Sequence, residues 1–263
     1  MELNTKFMKE TFFLVMNAIP VTLEITFVTM FFSLVFGFAL SLKKIGHKKN
    51  PLVNFYVSFV RGTPIVLQIL FFYSLLPTFL NYFLNIVLKL NVKVFDINPI
   101  FYALAVFILN TTAVLTEVFR ASLLSIGHGQ MEAALAVGLT PWQAMKRIII
   151  PQSLTSALPN ICNTTVNVLK STSLAYMMTV QDIMAVAKKQ AAFGYNYIEA
   201  YLVVLVWYII LCTIVQIIFR ITESRVAQYK KGHSVNKIKS FHISGLRRIS
   251  HAGIKERTQI VWR

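Results

Sequence analysis

The stretch IPVTLEITFVTMFFSLVFGFALSL, residues 19–42, decides the class of fold to which this chain belongs. It is almost wholly apolar and carries one charged side chain, Glu24. A helix needs about 20 such residues to cross the hydrocarbon layer of a bilayer. No small-residue cleavage site followed by a soluble body comes after it, as a signal peptide would require. Residues 19–42 are therefore predicted to form a retained membrane-spanning helix.

The composition of the whole chain agrees with a membrane protein. Of its 263 residues, 56% are hydrophobic and 14% are charged, whereas a soluble domain has about a quarter charged residues. The net charge of +16 is concentrated in short loops and in the last part of the chain. Basic flanks on apolar spans orient a membrane protein, so this charge does not indicate nucleic-acid binding. Cys162 and Cys212 lie in apolar stretches and imply no disulfide framework.

The apolar runs predict an all-α integral membrane protein with about five transmembrane helices. The second run is interrupted at Arg61-Gly62-Thr63-Pro64, and the fourth is weak because it contains Asn, Thr, Ser and a lysine. The spans are expected near 19–42, 55–78, 98–119, 157–180 and 197–219.

The basic residues predict which loops are cytoplasmic. Four lysines fill the loop after the first span, and basic residues also mark the 120–156 loop and the end of the chain. This pattern predicts three parts along the chain. The N-terminal segment, 1–18, is expected outside, the transmembrane domain covers 19–227, and the basic tail, 228–263, is expected in the cytoplasm. Lys188 and Lys189 fall on the outer side and break the pattern. The tail is interpreted as a disordered cationic appendage or as an amphipathic segment on the anionic inner leaflet.

A polar stripe runs along the fourth span. Asn160, Asn163, Asn167 and Lys170-Ser171 recur at helical spacing, and Thr172 follows. Such a face is costly toward lipid, so it must meet protein or water. Two interpretations remain open: hydrogen bonds between helices, or the lining of a path for a polar solute. The lysine favours the solute path, because a structural hydrogen bond does not need a charge. Further lining could come from Asn110, Thr111 and Thr112 in the third span and Thr22, Thr26 and Thr29 in the first.

The 120–156 loop is predicted to hold two short helices. The first covers 130–137 and ends at Gly138. Thr140 caps the second, with Pro141 at its first position and Gln143 completing a capping box. This second helix is expected to end before Pro151. Small side chains at the turn, beside a rigid Thr-Pro-Trp, predict a surface on which another protein can dock closely.

The same loop carries the resemblance to a known family. EAALAVGLTPWQAMKRIIIPQSLTSALPN, residues 132–160, resembles the EAA loop of ABC-type import permeases, with isoleucine at 150 in place of the common leucine. RGTPIVLQILFFYSLLP, residues 61–77, resembles the R-G-T-P-x-x-x-Q signature of the polar amino acid subfamily. The signature residues here are Arg61, Gly62, Thr63, Pro64 and Gln68. The resemblance covers roughly residues 15–230.

The resemblance implies a type I ABC importer-like permease fold and a set of partners. Such permeases pair with a second copy or with a sister permease, dock on cytoplasmic ATPase subunits and receive solute from an extracytoplasmic binding protein. The implied ATPase-docking residues are Glu132, Ala133, Ala134, Gly138, Thr140, Pro141 and Trp142. No cofactor is expected on this chain, and ATP is used by the partner; indeed no G-x-x-x-x-G-K-[ST] phosphate loop occurs. The chain is therefore not expected to be an enzyme, and it shows no catalytic or metal-ligand constellation.

The substrate expected from the resemblance is L-cystine or a related sulfur-containing amino acid. Many members of the subfamily have K-D-T-S-L where this chain has Lys170-Ser171-Thr172-Ser173-Leu174. Serine in place of the acid disfavours a strongly cationic substrate. The alternative function is a self-sufficient secondary transporter or channel, which the absence of a visible repeat and of coupling acids disfavours.

Overall fold

The computed structural model describes residues 3–45 and 50–226, and these residues form helices joined by short connections. The chain divides into a unit of residues 1–217 and a unit of 218–263. The first unit holds most of the described residues; in the second, the described part is 218–226, the end of the last helix. The predictions for the 228–263 tail and for Lys48 and Lys49 lie outside the described residues.

The helices follow one another along the chain with few irregular residues between them. They are α1 (Thr5–Met16), α2 (Ile19–Ile45), α3 (Pro51–Gly62), α4 (Ile65–Asn81), α5 (Pro99–Leu124), α6 (His128–Ala136), α7 (Pro141–Ala144), α8 (Ile150–Ser171), α9 (Ile183–Ala192) and α10 (Tyr197–Val226). Wider π-helical turns cover Tyr82–Val87 and Met145–Ile149, and tighter 3₁₀ turns cover Val94–Asp96 and Thr172–Met178.

Within the described residues, four helices are long and apolar enough to cross a membrane: Ile19–Ile45, Ile65–Val87, Pro99–Leu124 and Tyr197–Val226. They correspond to the first, second, third and fifth predicted spans. The fourth predicted span forms α8 and the 3₁₀ turn after it, and its polar residues keep it out of this group. The second span differs from the prediction, because its long apolar helix begins only after Pro64.

The closest pairing is between α2 and α5. One face of α2 carries small residues three or four positions apart, all of them buried: Thr22, Thr26, Thr29, Ser33, Gly37 and Ser41. The Ser33 hydroxyl donates to the Ile108 carbonyl oxygen at 3.1 Å, and a Cβ added to Gly37 would lie 2.9 Å from the Leu115 Cβ. Small residues allow two helix backbones to approach closely within a membrane.

Three of these threonines were assigned to the polar lining, and that assignment is wrong. Thr22 and Thr29 are fully buried, and Thr26 donates to the Thr22 carbonyl oxygen at 2.8 Å. Sequence spacing places such residues on one face of a helix, but it does not say whether that face meets a cavity or another helix. Here it meets another helix.

Ionic contacts join α2 and α5 where both helices end. Glu117 pairs with Arg120, whose Nε lies 2.7 Å from Glu117 Oε2, and with Lys44 of α2. Glu117 and Arg120 are three residues apart on one helix, a spacing at which oppositely charged side chains can pair. Because Lys44 joins this pair, the carboxylate also ties one helix to the other.

α1 packs against α9 and α10. The Phe12 ring stacks on Trp207 of α10, with ring centroids 4.7 Å apart, and the Trp207 indole donates to the Phe12 carbonyl oxygen at 3.1 Å. α9 contacts α1 as well, and its Lys188 ammonium lies 4.1 Å from the centroid of the Tyr176 ring. The lysine that disturbed the charge pattern therefore lies on a short helix between two spans and makes a cation–π contact.

Candidate docking loop and solute path

The first helix of the loop ends as its sequence predicted. Gly138 has a positive φ of 86°. Its N–H donates to the Leu135 carbonyl oxygen at 3.0 Å, and the Leu139 N–H donates to the Ala134 carbonyl oxygen at 3.1 Å. These two bonds are the Schellman motif, which glycine favours because it adopts the left-handed conformation without a Cβ penalty.

The second helix begins with the predicted capping box. The Gln143 N–H donates to the Thr140 hydroxyl at 3.3 Å, and the Thr140 N–H donates to the Gln143 side-chain oxygen at 3.0 Å. Pro141 occupies the first turn, where its missing N–H leaves no bond unmade. The connection between α6 and α7 is therefore held by local hydrogen bonds at both of its ends.

The prediction that this second helix ends at Pro151 is wrong. α7 continues through the π-helical turn Met145–Ile149 directly into α8, and Pro151 lies in the first turn of α8. In the wider turn the Ile150 N–H donates to the Met145 carbonyl oxygen, five residues back. After the π turn, α-helical hydrogen bonding begins again at Ile150. Pro151 therefore lies in the first turn of α8, where a residue needs no N–H to donate. Helical backbone consequently continues from Pro141 to Ser171, although Pro159 inside α8 donates no N–H to the preceding turn.

Two alanines hold the loop together, while larger side chains face outward. Ala134 and Ala144 are buried, so the short helices can pack closely against one another. Val137 is 77% exposed and Trp142 is 64% exposed. Among the other residues expected to dock, Glu132, Ala133, Gly138, Thr140 and Pro141 are exposed. The loop thus exposes the apolar side chains of Val137 and Trp142 on a rigid pair of short helices. Ala134 is buried and is not part of the exposed surface.

The polar stripe of the fourth span lies on the surface of this chain. Asn160, Asn163, Asn167 and Lys170 are all exposed along α8, and Ser171 is half-buried. Thr172 is different. It is fully buried, its hydroxyl lies 3.2 Å from that of Tyr208, and it donates to the Leu169 carbonyl oxygen at 2.7 Å. Thr172 therefore packs inside the bundle and is not on the exposed polar face.

A cavity of about 100 Å³, lined by both polar and apolar side chains, lies between α4, α5 and α8. Asn110 and Thr111 of α5 line it together with Thr164, Asn167 and Ser171 of α8. Thr112, which the sequence grouped with Asn110 and Thr111, is buried elsewhere, and its hydroxyl makes no hydrogen bond within the described residues. The cavity joins the C-terminal end of the polar stripe to the third span.

The R-G-T-P-x-x-x-Q signature coincides with the break between α3 and α4. Arg61, Gly62 and Pro64 are exposed there, and Thr63 is half-buried. The half-buried Gln68 reaches back to the break from α4, and its side-chain oxygen accepts a hydrogen bond from Asn110 Nδ2 at 3.0 Å. The sequence indicated an interruption but not this contact, which joins residues far apart in the chain.

Asp182 was not singled out from the sequence, yet it is fully buried. It lies between the fourth and fifth predicted spans and caps α9, accepting from the backbone N–H groups of Met184 and Ala185 at 3.2 and 2.9 Å. Burial raises the pKa of the Asp182 carboxyl to about 6, although the hydrogen bonds that it accepts oppose the shift. The signal available in the sequence was an aspartate just before an apolar helical run.

Comparison with known proteins identifies the relatives of this chain. Residues 33–228 match the family described as binding-protein-dependent transport system inner membrane component. The chain is 33% identical over 227 residues to the protein named probable amino-acid permease protein YxeN of Bacillus subtilis (strain 168), covering 85% of this chain and 96% of that one.

Two further relatives from the same organism have named substrates. The L-cystine transport system permease protein TcyL is 31% identical over 210 residues, covering 79% of this chain and 85% of that one. The arginine transport system permease protein ArtQ is 30% identical over 215 residues, covering 81% of this chain and 92% of that one.

The fold is similar to that in the crystal structure of an amino acid ABC transporter with histidines. The TM-score is 0.74 at 24% identity, with 86% of this chain and 100% of that chain covered. At this identity the likeness concerns the fold, and it confirms the predicted all-α permease architecture.

Proposed function

This chain belongs to the family of binding-protein-dependent transport system inner membrane components, and we propose that it forms the path by which an ABC importer moves L-cystine or a related sulfur-containing amino acid. As a member of that family it is a multi-pass protein of the inner membrane and a permease subunit for amino acids. ATP is handled by partner ATPase subunits, so the chain is not itself an enzyme. Because the chain depends on partner subunits for ATP hydrolysis, the alternative of a self-sufficient transporter is rejected.

The polar face of α8 is the observation that carries the proposal. Asn160, Asn163, Asn167 and Lys170 are exposed on a helix that packs among membrane-spanning helices. Hydrocarbon would leave these groups without hydrogen-bond partners, so the face is suited to a watery path or to the surface of a second permease subunit. A path between two such subunits satisfies both conditions.

The residues on this face favour a zwitterionic substrate. Carboxamides offer donors and acceptors together, and the Lys170 ammonium can attract a carboxylate. The same ammonium repels a cationic side chain, and Ser171 offers no carboxylate to offset that repulsion. Relatives named for cystine and for arginine are almost equally identical to this chain. The choice of cystine therefore rests on Lys170 and Ser171 and not on overall identity.

In this proposal, the exposed loop couples the permease to ATP hydrolysis by the partner ATPase. Val137 and Trp142 project from a base made rigid by the Schellman turn and the capping box. We expect them to contact the partner ATPase in the cytoplasm, which places the N-terminus outside and the C-terminus inside. An extracytoplasmic binding protein would deliver the amino acid to the opposite side.

Uptake by cells of the source organism tests the proposal. The gene is deleted, and cells with and without a restored copy are supplied with radiolabelled L-cystine, L-glutamine or L-arginine. We expect deletion to lower the uptake of cystine selectively and the restored copy to recover it. Loss of arginine or glutamine uptake with cystine uptake intact would contradict the substrate. Unchanged uptake of all three would contradict amino acid import of this class.

A further inference from the structure

The second span consists of two helices, and Thr63 and Pro64 form the junction between them. α3 ends at Gly62, and both junction residues are extended, with ψ values of 140° and 134°. Pro64 has no N–H to donate, and it disfavours a helical conformation in the residue before it. The last carbonyls of α3 therefore lack the partners that a continuing helix would supply. Within a bilayer each unsatisfied carbonyl is costly, because no water replaces those partners.

The side chain of Gln68 donates hydrogen bonds to this junction. Its Nε2 lies 2.8 Å from the Val60 carbonyl oxygen, 3.1 Å from the Thr63 carbonyl oxygen and 2.7 Å from the Thr63 hydroxyl oxygen. The Thr63 hydroxyl in turn donates to the Phe59 carbonyl oxygen at 3.0 Å. Gln68, which belongs to α4, thereby holds the end of α3 across the break.

The acceptors at the junction fix the direction of the Gln68 carboxamide. Two of them are carbonyl oxygens, which the carboxamide can satisfy only with its N–H groups, so its oxygen must face the other way. On that side Asn110 of α5 donates from Nδ2 to Gln68 Oε1 at 3.0 Å. The Asn110 carboxamide is oriented by this bond as well. Its nitrogen is turned toward Gln68, and its oxygen accepts no hydrogen bond from the residues that the structure describes.

Asn110 also lines the cavity that it shares with Asn167 and Ser171. A volume of about 100 Å³ has room for roughly three water molecules at about 30 Å³ each, or for one charged group of similar size. Because one N–H of Asn110 is engaged by Gln68, its carboxamide can offer the cavity its oxygen and its second N–H; the oxygen is an acceptor that suits an ammonium.

We propose that Gln68 is a positioning residue that holds the Asn110 oxygen toward the ammonium group of the substrate and ties this orientation to the break in the second span. The inference rests on the proposed function as an amino acid permease. It gives the Q of the R-G-T-P-x-x-x-Q sequence a physical role: the glutamine satisfies a broken helix on one side and sets the polarity of the cavity on the other.

A double-mutant cycle in the gene-deleted cells tests this role. Uptake of radiolabelled L-cystine, L-glutamine and L-arginine is divided by the amount of ATPase that co-purifies with the tagged permease. We expect Gln68→Met and Asn110→Leu each to lower this uptake per complex by about tenfold, and the double variant to be no more than about twofold worse, because contacting residues that act as a unit are not additive. Gln216→Met is the matched control. Its side chain is exposed on α10, and uptake per complex should be unchanged.

The outcomes separate positioning from structural support. If Gln68→Met lowers only the amount of complex, and the surviving complexes transport normally, the positioning role is wrong. It is also wrong if the losses of the two single variants multiply in the double variant. Should Gln68→Met fail to assemble, Asn110→Leu decides, since it leaves the junction intact, and full uptake per complex would overturn the proposal. If the wild-type gene restores uptake of none of the three amino acids, the proposed function itself has failed.

Discussion

Replacing Gly138 by glutamate tests the docking loop, and Gly138→Ala separates docking from backbone strain. A Cβ added at Gly138 would meet no atom of the described residues within 4 Å, so neither substitution creates a clash at the Cβ. The positive φ of 86° nevertheless costs a residue with a Cβ about 1–2 kcal/mol. This cost is common to alanine and glutamate, and asparagine, which tolerates the left-handed conformation, should largely avoid it.

Glutamate differs from alanine in placing a carboxylate beside Val137 and Trp142, on the surface expected to be covered by the ATPase. Burying an unpaired charge at a protein interface costs several kcal/mol. A loss of about 3 kcal/mol lowers an affinity by roughly a hundredfold. The structure therefore predicts a small and equal effect of the two substitutions on folding, and a large difference between them in assembly.

Two measurements on solubilised membranes distinguish these effects. We expect the thermal midpoint of the permease to fall by the same amount in Gly138→Ala and Gly138→Glu and to change little in Gly138→Asn. The ATPase should co-purify with the alanine and asparagine variants and be absent from the glutamate variant. ATPase recovered with Gly138→Glu at the level of Gly138→Ala would refute the docking role of this surface.

Three further predictions concern the path, the buried carboxyl and the orientation. A hydrogen bond to a charged group contributes about 1.5–3 kcal/mol, so Asn167→Leu should lower uptake per assembled complex about tenfold or more; an unchanged ratio in both Asn167→Leu and Ser171→Ala would make the polar stripe scaffolding. Because the pKa of Asp182 is raised from 3.8 to about 6, its contribution to stability is complete below pH 3.8 and is lost as the pH rises through 6. Asp182→Asn keeps an acceptor for α9 and should therefore reduce the rise in thermal midpoint between pH 7.5 and pH 5, and equal pH dependence in both proteins would contradict this. Single cysteines replacing Lys48 and Asn91 should be labelled from the cytoplasm only and from outside only, respectively, and external labelling at Lys48 would overturn the five-span topology.

The features that the sequence predicted well are those governed by local chemistry. A glycine four residues after Ala134, and a threonine, a proline and a glutamine at capping-box spacing, determine their own hydrogen bonds within a few residues. The Schellman turn and the capping box therefore appear where they were expected. The apolar spans were predictable for a similar reason, since the length and hydropathy of a helix are local properties.

The features that could not be predicted depend on partners distant in the chain. Thr22 and Gln68 were both visible as polar residues in apolar runs. One packs against a neighbouring helix and the other bonds to Asn110, and nothing in the residues around them distinguishes the two outcomes. The error at Pro151 has another origin. The rule that proline ends a helix assumes α-helical bonding throughout, and the π turn before Pro151 removes that assumption.

Helical backbone runs without a loop from Pro141 to Ser171, from the exposed Trp142 side chain to the cavity beside Asn167. At 1.5 Å per residue, this segment carries Trp142 and Asn167 roughly 40 Å apart on one continuous element. A flexible hinge after the loop would absorb a small displacement of Trp142 before it reached the membrane. A continuous helix would transmit it, so that a push or a twist on the loop would become a translation or a rotation of the asparagine face, with Pro159 inside α8 as a point where a backbone hydrogen bond is missing and the helix can bend. If the loop binds the ATPase and α8 lines the solute path, as proposed, the stiffness of this segment, and not only the affinity of its tip, would set how much of the partner's motion reaches the solute.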